Sequence, residues 1–146
     1  MSVRESIASN IRTTIANISS PITIKKITRQ PFNIDELAQA QYPAVIVQSS
    51  LETREDAELG EGAKTRIGNI EFVILGYVQG SESNIDTLRN QLITTIETAL
   101  ETDITRGGVA KDTQVTEVET DEGTLFPIGG IRMTVNVMYE FQSGTP

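Results

Sequence analysis

The chain has 146 residues and a formal net charge of -8, from 12 Lys and Arg against 20 Asp and Glu, with neither cysteine nor histidine. That composition excludes disulfides, thiolate nucleophiles, Ser-His-Asp and Cys-His catalysis and most zinc sites. The negative charge argues against a groove that neutralises nucleic-acid phosphates, and the length suits one domain, residues 1–146.

Ser2 to Ser19 reads as an amphipathic helix, because Val3, Ile7, Ile11, Ile15 and Ile18 make one stripe at spacings of four and three. Ser2 and Glu5 have the form of a capping box, and Pro21 closes the segment. The same N-terminal stretch lacks the continuous apolar run of a secretion signal, and no window approaches the ~20 apolar residues of a membrane span. The reading is of a soluble, non-secreted chain. Ile22 to Arg29 alternates enough for a strand, with Lys25, Lys26 and Arg29 suited to an exposed face or edge. Asn33 to Gln39 reads as one helical turn capped by Asn33, and Pro43 opens a short buried strand, PAVIVQSS.

Leu51 to Thr65 is then expected to be a long acidic loop, at about 51–65, too long for a tight hairpin turn. It carries Glu52, Arg54, Glu55, Asp56, Glu58, Glu61 and Lys64. Its GEGAKT invites a phosphate-loop reading and fails it: Ala63 separates Gly62 from Lys64, Ala57 stands where a glycine is required, and a strand follows instead of a helix. That strand, Arg66 to Val78, has apolar residues on both sides and belongs in the middle of a sheet. Asn84 to about Asp103 is the clearest helix, capped by Asn84, with Asp86 in its first turn and Ile85, Leu88, Leu92, Ile96 and Leu100 as its buried stripe. Arg89, Asn90, Glu97 and Glu101 lie off that stripe.

Gly107 and Gly108 end the helix region, and Val109 to Glu122 reads as a partly exposed, bulged strand. The last strand, Ile131 to Phe141, puts Ile131, Met133, Val135, Val137 and Tyr139 on one face, with a loose tail after it. The order α-β-β-β-α-β-β implies an α+β fold: a mainly antiparallel four- to five-stranded sheet with two helices packed on one face.

No catalytic, cofactor or metal residues are expected. Glu117, Glu119 and Asp121 fall on one strand face and could hold a hard cation, but like charges so placed more often stay solvated or meet Lys and Arg of a neighbouring subunit. Asn17-Ile18-Ser19 matches a glycosylation sequon by coincidence, and Tyr42, Tyr77 and Tyr139 read as core or interface aromatics.

The helix of isoleucines, the YPAVIV strand from Tyr42 to Val47, the acidic loop into IEFVILGYV, the helix NIDTLRNQLITTIETAL followed by ETDITRGG, and the final IRMTVNVMYEF come in a telling order. That order resembles the small tail-terminator or tail-completion proteins of long-tailed bacteriophages, the class that includes lambda-type minor tail protein U. The resemblance implies a non-enzymatic virion protein without cofactor, assembled in the host cytoplasm and located at the head-proximal end of the tail. It implies a homo-oligomer, a hexameric ring that caps the tail tube, stops its elongation and docks the head or neck connector. Alternatives are a neck-side or sheath-terminating ring protein, with the sheath as partner, or, from another class, a small binding domain or carboxylate-metal enzyme. Genome DNA would pass the lumen without specific binding. The expected subunit and partner interfaces are Glu52, Arg54, Glu55, Asp56, Glu58, Glu61, Lys64 and Arg66, together with Glu117, Glu119 and Asp121.

Overall fold

In the computed structural model, which describes residues 2–57, 64–123 and 125–146, the isoleucine stripe forms α1, Val3–Ala16. Ser2 Oγ accepts from the Glu5 N–H at 3.1 Å and so fixes the helix start. The helix ends before the expected Ser19: Asn17 caps it, and the chain then leaves helical geometry while Ile18 still drops into the core. Of the strand expected over Ile22 to Arg29, only β1, Lys26–Thr28, forms; two short 3-10 turns, Ile34–Glu36 and Gln39–Gln41, follow it. Asn33 Oδ1 caps the first turn by accepting from the Asp35 N–H at 2.9 Å.

The next two strands are β2, Ala44–Asp56, and β3, Thr65–Gln79. The long loop expected from Leu51 is therefore corrected: Leu51 to Asp56 is strand, paired with β3 as far as Asp56 opposite Arg66. A bulge between Ser49 and Glu52 makes this possible. The extra residue inverts the alternation, so Leu51 turns outward, 60% exposed, and Glu52 takes the inward place. Glu58 and Glu61, which belonged to the expected loop, lie outside the described residues.

Helix α2, Ile85–Thr102, buries Ile85, Leu92, Ile96 and Leu100 as its periodicity predicts. Asn84 precedes it, but its side chain accepts from the Ser81 N–H at 2.7 Å instead of from a helix N–H. Arg106, buried and at φ 51°, closes the helix by donating to the carbonyls of Leu100 and Asp103. Strands β4, Asp112–Thr120, and β5, Ile128–Gln142, complete the chain. The expected bulge in β4 lies between Val115 and Glu117. Nor is the tail loose: Ser143 N–H donates to Lys64 O at 2.8 Å, and Thr145 N–H to Gln142 O.

The five strands form one sheet in the order β1-β2-β3-β5-β4. All pairs are antiparallel except β1 with β2, so the fold is α+β with a mixed, mostly antiparallel sheet. As its two apolar faces predict, β3 is central. Val45 and Val47 of β2, Ile70, Phe72, Ile74 and Val78 of β3, and Met133, Val135 and Val137 of β5 share one face. They form a single apolar cluster with the stripes of both helices. Full burial of each such side chain contributes about 1.5–3 kcal/mol. On the opposite face, Ala44 and Ile46 are also buried, but Leu75, Tyr77, Asn136 and Met138 are only half-buried. Phe32 packs edge-on against Tyr77 there, with ring centroids 6.2 Å apart.

Candidate functional site

Beyond the helices, β2, β3 and β5 continue as an arm whose inner surface carries charge instead of aliphatic side chains. The bulge in β2 places Glu52, Arg54 and Asp56 in successive inward positions opposite Ile70, Gly68 and Arg66. Glu52 is the hub. It accepts from Arg4 Nε at 2.5 Å, from Arg54 Nε at 2.5 Å and from the Tyr139 hydroxyl at 2.9 Å. Its side chain is only 8% exposed. Burial pushes its carboxyl up, but the hydrogen bonds from Arg54, Tyr139 and Arg4 outweigh that and hold it below the usual carboxylate value. Burial, and then the Glu52 charge, push the Tyr139 phenol up.

Backbone shape makes this contact possible. A Cβ at Gly68 would lie 2.5 Å from Tyr139 Cε1 and 3.0 Å from Glu52 Oε2, so only glycine lets the ring rest on the strand and reach the carboxylate. Further out, Phe141 stacks on Tyr139 with centroids 5.4 Å apart, while the guanidinium groups of Arg54 and Arg66 lie 4.9 and 5.9 Å from the Phe141 ring. Asp56 accepts from Arg66 Nε at 3.0 Å and from Lys64 Nζ at 3.3 Å. The structure thus brings together Glu52, Arg54, Asp56, Lys64 and Arg66. Glu55 points to the other face of the arm, opposite Ile67, and is exposed.

The second acidic group is divided. The β4 bulge turns Glu117 and Glu119 to the uncovered sheet face, opposite Thr134 and Arg132, and brings Val118 to the helix side at 40% exposure. Glu119 sits close enough to Glu117 to raise its carboxyl above the ordinary value, by a shared hydrogen bond and by like charge. Asp121 does not join them, which corrects the reading of three carboxylates on one face. Past the end of β4, it accepts from Arg89 Nη1 at 2.5 Å, with only 8% of its side chain exposed. Burial raises the Asp121 carboxyl, but the N–H groups of Gly123 and Gly130 together with Arg89 bring it below its usual value.

Arg89, read from sequence as off the buried stripe, is itself buried. Its stem crosses Gly129, where a Cβ would meet Arg89 Cγ at 2.8 Å, and its other terminal nitrogen donates to Asp86 at 3.1 Å. Sequence reasoning also missed Arg4, Tyr139 and Phe141 as members of the arm cluster. The shared face of Tyr139 and Phe141 was visible in the alternation of β5; their encounter with Arg4 and Glu52 was not.

Two other features complete the surface. An open groove of about 720 Å³ runs between α1 and α2, lined mainly by Thr14, Asn17, Ser19, Ser20, Gln91, Thr95 and Thr98. Among the described residues, no three Asp or Glu side chains come together as metal ligands would, and no helix is long and apolar enough to cross a membrane. Neither protein-family models nor curated proteins match this chain significantly.

Proposed function

We propose that this chain is a virion structural protein of the tail-terminator kind, a subunit of a ring that caps a phage tail tube, halts its elongation and offers a docking surface to the head or neck connector. The observation that carries the reading is the one-sided architecture. Both helices pack into one face of the sheet, while among the described residues Glu117, Glu119 and Arg132 stand exposed on the other face, and the β4 edge beyond its bulge, the outer side of β1 and the β2-β3-β5 arm pair with no further strand. The reading also rests on the resemblance that the order of elements in the sequence carries. A net charge of -8 suits a ring through which DNA passes without adhering.

In this reading the arm, with Leu51 and Glu55 exposed on it, contacts the tube or the connector, and the cluster around Glu52 stiffens it. The test is electron microscopy of the purified protein alone and with bare tail tubes. Closed rings with an open centre, seated on tube ends, support the proposal. Tubes that keep elongating in the presence of saturating protein overturn it. Removal of residues 55–61 would separate the contribution of the arm tip: tube capping should fail while the fold persists.

One specific observation favours a second reading, a small binding domain. The groove between α1 and α2 is large enough for a small ligand, although it is open and carries no charged side chain. A monomer that never associates with tubes would favour it.

A further inference from the structure

The two edges of the sheet carry opposite charge. At one edge β1 presents Lys26, flanked by Lys25 before the strand and Arg29 after it: Lys25 is exposed, Lys26 lies 5.2 Å from the Phe32 ring, and Arg29 is paired with Glu5. At the other edge β4 presents Glu117 and Glu119, both exposed, with the apolar Val118 between them. Only part of β4 is open to a partner. Glu101 Oε1 of α2 accepts from the Val115 N–H at 3.3 Å, which occupies the edge before the bulge and leaves Glu117 to Thr120 beyond it. Among the described residues no further strand pairs with that stretch or with the outer side of β1.

Strand directions add a geometric condition. β1 runs parallel to β2, β2 antiparallel to β3, β3 to β5, and β5 to β4. It follows that β4 runs opposite to β1. Copies that share one orientation around a ring axis would therefore meet as an antiparallel pair, three or so residues long, the length of β1. A twofold contact of β4 with itself would instead set Glu117 and Glu119 against like charges.

We propose that the subunits join head to tail, with the Glu117–Thr120 edge of one copy pairing antiparallel to the Lys26–Thr28 edge of the next, and with Glu117 and Glu119 on the sheet face that Lys26 shares and Lys25 beside the seam. The inference rests on the ring reading and specifies its interface. Opposite charges at the two ends of one sheet make the contact self-complementary only in a head-to-tail sense, which closes a ring or runs on as a filament.

The experiment uses the full chain and two charge-reversed variants, Lys25→Glu with Lys26→Glu and Glu117→Lys with Glu119→Lys. Native mass spectrometry and light scattering report assembly, and thermal melts verify folding. Each variant alone should need at least about tenfold more protein to assemble than the unaltered chain. An equimolar mixture should restore assembly in even-numbered, alternating oligomers, because each acidic edge then meets a basic one. A β4 variant that fails to fold is replaced by Glu117→Gln with Glu119→Gln, which should weaken assembly and remove most of its salt dependence. If the unaltered chain assembles and either variant matches it, or the mixture stays unassembled, the edge pairing is overturned and the ring reading stands. If the unaltered chain never assembles, alone or on tubes, both fall.

Discussion

Replacing Glu52 with Gln tests the arm most directly, since it keeps the shape of the side chain and removes the charge that Arg4, Arg54 and Tyr139 share. A hydrogen bond to a charged group is worth roughly 1.5–3 kcal/mol when buried, and an exposed ion pair about 0–1 kcal/mol. The side chains of Arg4 and Arg54 are 45% and 34% exposed, so water replaces much of what they lose. Tyr139 is fully buried and keeps only a neutral acceptor. The sum comes to about 2 kcal/mol. For a chain of this size that corresponds to a fall of roughly 4–8 °C in Tm. Urea unfolding followed by circular dichroism, at one fixed protein concentration, measures it.

The pH dependence supplies an independent check. Glu52 has a folded pKa depressed below its unfolded value, so its contribution is complete above the ordinary glutamate range and is lost as pH falls through the folded pKa. The unaltered chain should therefore lose stability more steeply than Glu52→Gln on the acid side, and the two should converge at low pH. A variant within about 0.5 kcal/mol of the unaltered chain at pH 7, with the same acid limb, would refute the idea that this carboxylate organises the arm.

Gly68→Ala should cost about 1–3 kcal/mol by overpacking against Tyr139, and combining it with Glu52→Gln should cost less than the two separately, because both disturb the Tyr139 contact. Asp121→Asn leaves the buried Arg89 with, among the described residues, only the exposed Asp86 as a charged partner and should destabilise by about 2–3 kcal/mol, below the 3–5 kcal/mol of a fully orphaned buried ion. The depressed Asp121 carboxyl means that this penalty shrinks as pH falls through its folded pKa, which urea titrations at several pH values would show. Ile96→Ala, in the middle of the α2 stripe and fully buried, should cost about 2–5 kcal/mol in the same assay; a loss under 1 kcal/mol would contradict its place in the core.

Two periodicities in the sequence determined the elements and their packing side. Spacings of three and four gave the stripes of α1 and α2, and alternation gave the inward faces of β3 and β5, because burial of apolar area is local in register and insensitive to which partner supplies it. The α+β order and the central place of the apolar β3 followed from those patterns alone. The charges behaved differently. Glu52 reached the inside of the arm only because one extra residue in β2 reversed the alternation, and a bulge costs one unpaired residue that no composition rule marks within LETRED. Its donors Arg4 and Tyr139 lie 48 and 87 residues away, and Asp121 meets Arg89 across 32. An exposed charge is content with water, so its sequence neighbourhood carries no record of its partner. Only when the folded backbone removes that water, as at Glu52 and Arg89, does one geometry with one set of partners become the stable arrangement.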